Sequence, residues 1–412
     1  MKTKKYGKKY GMIPALALGF AVAMAGSAFA QTPGVTDKEI KIGNINPYSG
    51  PASAYGTIGK SIAAYFKMVN AEGGINGRMV NFISYDDSYS PPKALEQVRK
   101  LVESDNVLLV FQPLGTPGNT AIQGYLNGKK VPQLFVATGA TKWGDPKKFP
   151  WTMGWQPNYQ SEGRIYAAYI LKNHPNAKIG VLYQNDDYGK DYVKGLKDGL
   201  GAKAKTMIVS EQPYEVADPT VDSQIIALKA SGADVLFNAT TPKFAAQSIK
   251  KMAEISWKPV HFLNQVSNSV GGVIKPAGAE NADGIFSTGY LKDQLDPQWK
   301  DDPGMKKWFA FMDKHYPDGD KTSSFNTYGY TVAQNLHKVL LAAGKNLTRE
   351  NVMKAAASMK DVDLDLLLPG IKINTSATDF YPIEQQRMMK FNAKENRWDF
   401  FGEILSGEVR GS

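Results

Sequence analysis

Lys41–Asn70, KIGNINPYSGPASAYGTIGKSIAAYFKMVN, contains a strand, a loop and an amphipathic helix in thirty residues. Ile40, Ile42 and Ile45 supply the apolar positions of a short strand, and Pro47, Gly50, Pro51 and Gly56 then stop regular pairing. From Ile58 the period changes: Ile58, Ile62, Tyr65, Phe66 and Val69 recur at helical spacing, which predicts a helix with one face packed on a sheet. In open α/β sheets ligands sit beyond the carboxyl ends of the strands, so Tyr48, Ser49, Ser53 and Tyr55 become candidate ligand contacts. Gly59-Lys60-Ser61 does not complete a phosphate loop, because Ala54 stands where that motif needs its first glycine.

Working outward, the first thirty residues carry Lys2, Lys4, Lys5, Lys8 and Lys9, an apolar run, and Ala28-Phe29-Ala30, the pattern of a secretory signal peptide cleaved after Ala30. Pro14 and Gly19 interrupt the apolar run, which argues against a membrane anchor. Of 412 residues, 382 would remain, enough for two domains with their own cores. The net charge of +10 would fall to about +5, since five of the 49 basic residues leave with the signal. The remaining lysines are scattered and not arranged in a phosphate-tracking stripe, so nucleic acid is not an expected partner. There is no cysteine, which excludes thiol catalysis, thiolate metal sites and a lipidated amino terminus. His174, His261, His315 and His337 are dispersed, so neither a metal nor another cofactor is expected.

The strand, loop and helix unit repeats along the chain. Strands are expected at Val80 to Tyr85, Val107 to Phe111 and Val131 to Val136, each ending in a loop of small or hydroxylated residues. The aromatic segment Trp151 to Tyr159 breaks the alternation, and a second set follows with strands at Ile179 to Tyr183, Thr206 to Val209, Val235 to Asn238 and His261 to Leu263. Ile285 to Tyr290 is expected to re-enter as a strand, Thr327 to Ala343 to form a helix, and the tail to form an antiparallel hairpin turning at Asn392 to Asn396. The fold class is therefore α/β: parallel sheets with helices on both faces, built twice.

Four motifs, PYSGPASAYG at 47–56, AEGGINGR at 71–78, YDDSYSPPKA at 85–94 and NDDYGKDY at 185–192, make the chain resemble the substrate-binding proteins of ABC importers, of the branched-chain amino acid type. That resemblance implies the type I periplasmic binding protein fold, two Rossmann-like lobes joined by a three-crossing hinge, closing on ligand in the cleft. The crossings are expected near Trp155, Gly284 and Pro369, giving residues 31–154 with 285–368 as one lobe and 155–284 with 369–412 as the other. It also implies a periplasmic monomer without enzymatic activity, whose partners are a small-molecule ligand and an ABC permease in the inner membrane. The loop disulfide found in some relatives would fall near Tyr89 and Leu114 and is missing here.

The same resemblance implies a site. Gly115 and Thr116, with Ala137, Thr138, Gly139 and Thr141, occupy the loops that hold a ligand carboxylate in that family, and Tyr55 and Tyr188 match its cleft tyrosines. Gln265 stands where an acid usually binds the α-ammonium. An amide brings no charge, so a buried ammonium there would lose its partner. The expected ligand is therefore a small carboxylate without an α-amino group, an aromatic acid such as a benzoate or hydroxycinnamate, with Trp155 as a further wall. The alternatives are an amino acid whose ammonium meets another acid, Asp187 being the nearest, or a ligand-sensing subunit with the same fold. Read without the resemblance, Thr116 and Thr138 could be helix caps and the acidic pairs Asp86-Asp87 and Asp186-Asp187 a hydrolase's carboxylates, although adjacent residues seldom converge on one bond.

Overall fold

A computed structural model describes residues 1–8 and 32–407. Beyond its first eight residues, the expected signal peptide with its cleavage point after Ala30 lies outside the described residues.

The first sheet comprises β1 (Glu39–Asn46), β2 (Met79–Asp86), β3 (Leu109–Phe111) and β4 (Gln133–Leu134), parallel throughout in the order β2-β1-β3-β4. Parallel neighbours require crossovers, supplied by α1 (Gly56–Ala71), α2 (Pro91–Arg99) and α3 (Thr116–Gly128). The apolar stripe expected on α1 is buried: Ile58, Ile62, Tyr65, Phe66 and Val69 all face the core. Side chains alternate across a strand, so Ile40 and Ile42 join the core under α1 while Ile45 joins the opposite core with Val98, Val110 and Ile122. Ile45 therefore does not share a face with Ile40 and Ile42.

The second set runs α4 (Tyr159–Asn173), β5 (Ile179–Gln184), α5 (Asp187–Leu200), β6 (Ile208–Tyr214), α6 (Asp222–Ala230), β7 (Val235–Ala239), α7 (Pro242–Glu254), β8 (Val260–Leu263) and β9 (Phe286–Gly289). Three helices follow, α8 (Pro303–His315), α9 (Ser324–Ala343) and α10 (Arg349–Ala356), and then the hairpin β10 (Gln385–Asn392) and β11 (Arg397–Ser406). The second sheet has the order β11-β10-β9-β8-β7-β5-β6, parallel from β6 to β9 and antiparallel at β10 and β11. Val181 and Phe237 point into the core beneath α4 and α5, and Leu182 and Leu236 into the core beneath α6 and α7.

Two boundaries differ from expectation. β9, placed with the first lobe by a crossing near Gly284, instead pairs with β8 and β10 in the second sheet. Ile371, Ile373, Phe380 and Ile383, placed with the second lobe by a crossing near Pro369, pack into the core that holds Ile42, Trp308 and Leu336. Alternation alone identifies a strand but not the sheet it joins, because partners are set by tertiary contacts. The chain returns to the second sheet only after Ile383, and the start of β10 at Gln385 marks that return.

Candidate functional site

A cavity of about 110 Å3 lies where loops at the carboxyl ends of the strands of both sheets meet. From the first sheet come Tyr55, Tyr89, Leu114, Gly115, Thr116 and Ala137. The second sheet and its helices contribute Tyr159, Tyr188, Thr241, Gln265 and Asn268. Tyr290, Phe325 and Tyr328 add further rings from the later part of the chain.

Gly115 precedes α3 with φ of 93°, the left-handed region that glycine tolerates. A β-carbon there would sit 2.4 Å from the Tyr89 ring, so the loop can lie against that tyrosine only as glycine. The Asn119 amide donates to the carbonyls of Pro113 at 2.7 Å and Gly115 at 2.9 Å and holds the turn. Thr116 is the first helical residue and not the cap, and its hydroxyl meets that of Thr138 at 2.5 Å. Thr138 Oγ1 also accepts from the Trp143 indole N–H at 3.2 Å and the Ala140 N–H at 3.3 Å. Either hydroxyl can be the donor in this pair; because Thr138 already accepts two N–H groups, giving its own hydrogen to Thr116 would leave the Thr116 hydroxyl free to donate into the cavity. A donor at the start of a thirteen-residue helix is placed to hold an anion.

The expected site residues thus separate into two groups. Tyr55, Gly115, Thr116, Ala137, Tyr188 and Gln265 line the cavity. Thr138 stands behind Thr116 as its support. Gly139 accepts the Tyr159 N–H at 2.8 Å and is pressed against Pro157, and Thr141 donates its N–H and hydroxyl to Asp191 at 2.8 and 2.9 Å. Trp155 is fully buried against Phe135, ring centres 5.8 Å apart, and belongs to the core. Tyr48 and Ser49 are likewise turned to Ser84 and Asp86, each at 2.5 Å. Asp187 pairs with Lys142 at 2.6 Å with most of its side chain in solvent, so it is not the cavity's acid.

Tyr188 is set by Asp186, whose carboxylate caps α5 by accepting the N–H groups of Tyr188 and Gly189. Its hydroxyl is engaged between the Thr240 carbonyl at 2.9 Å and the Asn264 amide at 2.5 Å, so Tyr188 offers the cavity its ring and not a phenolic donor. Tyr159 packs edge-on against it at 5.3 Å and stacks on Tyr192 at 4.3 Å. Behind this ring cluster Glu162 is fully buried, accepting from the hydroxyls of Tyr166 at 2.8 Å and Tyr192 at 2.7 Å and from the Gln265 N–H at 2.7 Å. Burial pushes its carboxyl up to about 7, against the pull of those three donors.

Tyr89, Tyr159, Tyr290 and the segment Lys292–Gln294 also line the cavity and were not anticipated. Tyr89 lies within the YDDSYSPPKA motif and Tyr159 closes the aromatic break WTMGWQPNY, which are the local signals that mark them. Lys292–Gln294 carries no such signal.

The chain matches the model of a periplasmic binding protein family over residues 39–396. Leu/Ile/Val-binding protein homolog 1 of Brucella abortus is 28% identical over 364 residues, covering 85% of this chain and 90% of that protein. Among solved structures, a branched-chain amino acid ABC transporter protein from Thermus thermophilus with bound valine superposes with a TM-score of 0.80 at 16% identity, covering 90% of this chain and 97% of the other. A fatty acid ABC transporter substrate-binding protein from Thermomonospora curvata gives 0.78 at 23% identity, covering 91% and 94%.

Proposed function

Because this chain belongs to the periplasmic binding protein family, whose ABC-transport members capture small molecules and hand them to a permease, we propose that it captures a small carboxylate lacking an α-amino group, an aromatic acid such as a benzoate or hydroxycinnamate. Its fold is that of substrate-binding proteins and not of enzymes. No helix among the described residues is long and apolar enough to cross a membrane. In this reading the two sheets are the cores of two lobes, with crossings after Trp155, after Gly289 and after Ile383, and ligand bound between them favours the closed form. The Gly271 N–H to Thr322 carbonyl bond at 3.0 Å and the Lys275 to Thr322 hydroxyl bond at 3.1 Å would then join the lobes at the rim.

One observation carries the ligand class: the Thr116 hydroxyl lines the cavity at the start of α3, where an anion is favoured, while the position after β8 holds the uncharged Gln265. An unpaired buried ammonium beside Gln265 would cost several kcal/mol. Tyr55, Tyr159, Tyr188 and Phe325 supply flat apolar walls suited to a ring. A second reading, an amino acid in keeping with the named relatives, is favoured by Asp293, an acid elsewhere on the cavity wall that could meet an amine.

Calorimetric titration separates them. Micromolar binding of benzoate or 4-hydroxycinnamate, with none of leucine or valine, is expected. Thr116→Val should weaken the aromatic acid about 10- to 100-fold, the worth of one hydrogen bond to a charged group. Leucine binding without aromatic acid binding overturns the proposal.

A further inference from the structure

The cavity holds a second polar cluster, on elements other than those that carry Thr116. Lys292, Asp293 and Gln294 follow β9, and Trp398 of β11 and Asn268 after β8 close around them. The donors of Lys292, Asn268 and Trp398 are engaged. Lys292 donates to Asp302 at 2.7 Å and to the Asp365 carbonyl at 3.0 Å. The Asn268 amide donates to Ser287 and to the Thr288 carbonyl, both at 3.1 Å, and the Trp398 indole donates to the Asn268 carbonyl at 2.9 Å.

The acceptors are open. Asp293 takes only two backbone N–H groups, from Leu295 at 3.0 Å and Trp398 at 3.1 Å, and forms no ion pair among the described residues, since Arg397 is taken by Asp399 at 2.8 Å. Each of its oxygens keeps a lone pair. Gln294 is 7% exposed and lines the cavity; its buried Oε1 has no hydrogen-bond partner among the described residues, and its Nε2 makes none either. A buried acceptor left unmatched is costly, so such a pair is complementary to a donor.

We propose that Asp293 and Gln294 form a second subsite that recognises a hydrogen-bond donor carried by the ligand away from its carboxylate, which for the aromatic acids proposed above is a ring hydroxyl. The inference rests on that reading of the site. It narrows the class from aromatic acids in general to hydroxylated ones, because a methyl ether or a bare ring offers no donor to the two oxygens. Burial pushes the Asp293 carboxyl up to about 6, against the pull of its two backbone N–H donors and of the nearby Arg397 charge.

The test is calorimetric titration of the mature protein with 3- and 4-hydroxycinnamate, cinnamate and 4-methoxycinnamate, repeated in Gln294→Leu and Asp293→Asn. At least one hydroxylated acid is expected to bind about tenfold or more tightly than cinnamate and the methyl ether, with the ratio falling to near one in the variants. Gln294→Leu removes no backbone cap, so it decides the matter where Asp293→Asn disturbs folding. Equal binding of all four acids by the unaltered protein, or a ratio that survives in Gln294→Leu, overturns the subsite while leaving the aromatic-acid reading intact. Binding of none of the four overturns that reading and the subsite with it.

Discussion

Gly195→Val is expected to cost about 3 kcal/mol or more of folding stability, the upper range for overpacking a close-packed contact. A β-carbon at Gly195 would lie 2.3 Å from the Gln160 carbonyl oxygen and 2.4 Å from its α-carbon, both backbone atoms that cannot swing aside. Gly163 on the facing helix is equally confined, with the Leu196 nitrogen 2.6 Å from its would-be β-carbon. α4 and α5 therefore touch backbone to backbone. That approach brings Tyr159 onto Tyr192 and lets the Tyr192 hydroxyl reach Glu162, so forcing the helices apart dismantles the ring cluster behind the cavity. Urea unfolding of the variant should show a much lower midpoint, whereas an unchanged midpoint would mean that the two helices are not packed this way.

The second large effect depends on pH. Glu162 has its carboxyl raised from 4.5 to about 7 in the folded protein, so between those values the unfolded chain releases a proton that the native state retains. Protons bound in the native state then exceed those in the unfolded state, and stability falls as pH rises through that window. Below 4.5 both states are protonated, above about 7 both are ionised, and the full loss is about 3 kcal/mol. Glu162→Gln cannot ionise and should remove this slope. Asp87, also buried and raised to about 7, contributes with the same sign in both proteins and cancels when they are compared. The stability difference between the unaltered protein and Glu162→Gln, measured in urea at pH 4.5 and 7.5, should shift by about 3 kcal/mol in favour of the variant at the higher pH. Parallel pH profiles would contradict the buried carboxyl described above.

The alternation of apolar strand and amphipathic helix made the architecture readable, because burial on a sheet imposes a period that local sequence must carry, as at Ile58 to Val69. The carboxyl-end loops were readable for the same reason, since they lie where that period stops. Thr116 and Thr138 show where legibility ended. The two are alike in sequence, and only the indole of Trp143 and the N–H of Ala140, by taking the lone pairs of Thr138, assign one to the cavity and the other to its support. Trp155 was equally ambiguous, since whether an indole walls a cavity or fills a core depends on the ring it meets, here Phe135 twenty residues earlier. Lys292–Gln294 carries no local signal of a binding role. It becomes part of the cavity because the Trp398 N–H, 105 residues later, reaches back to Asp293.

Mass spectrometry of the small molecule released when natively purified protein is denatured tests the central claim most directly. The expected mass is that of an acid with no α-amino group, and of a ring-hydroxylated aromatic acid if the second subsite is also occupied. Release of leucine, valine or another α-amino acid would contradict the account, because the amide of Gln265 offers such a ligand no charge to meet its ammonium.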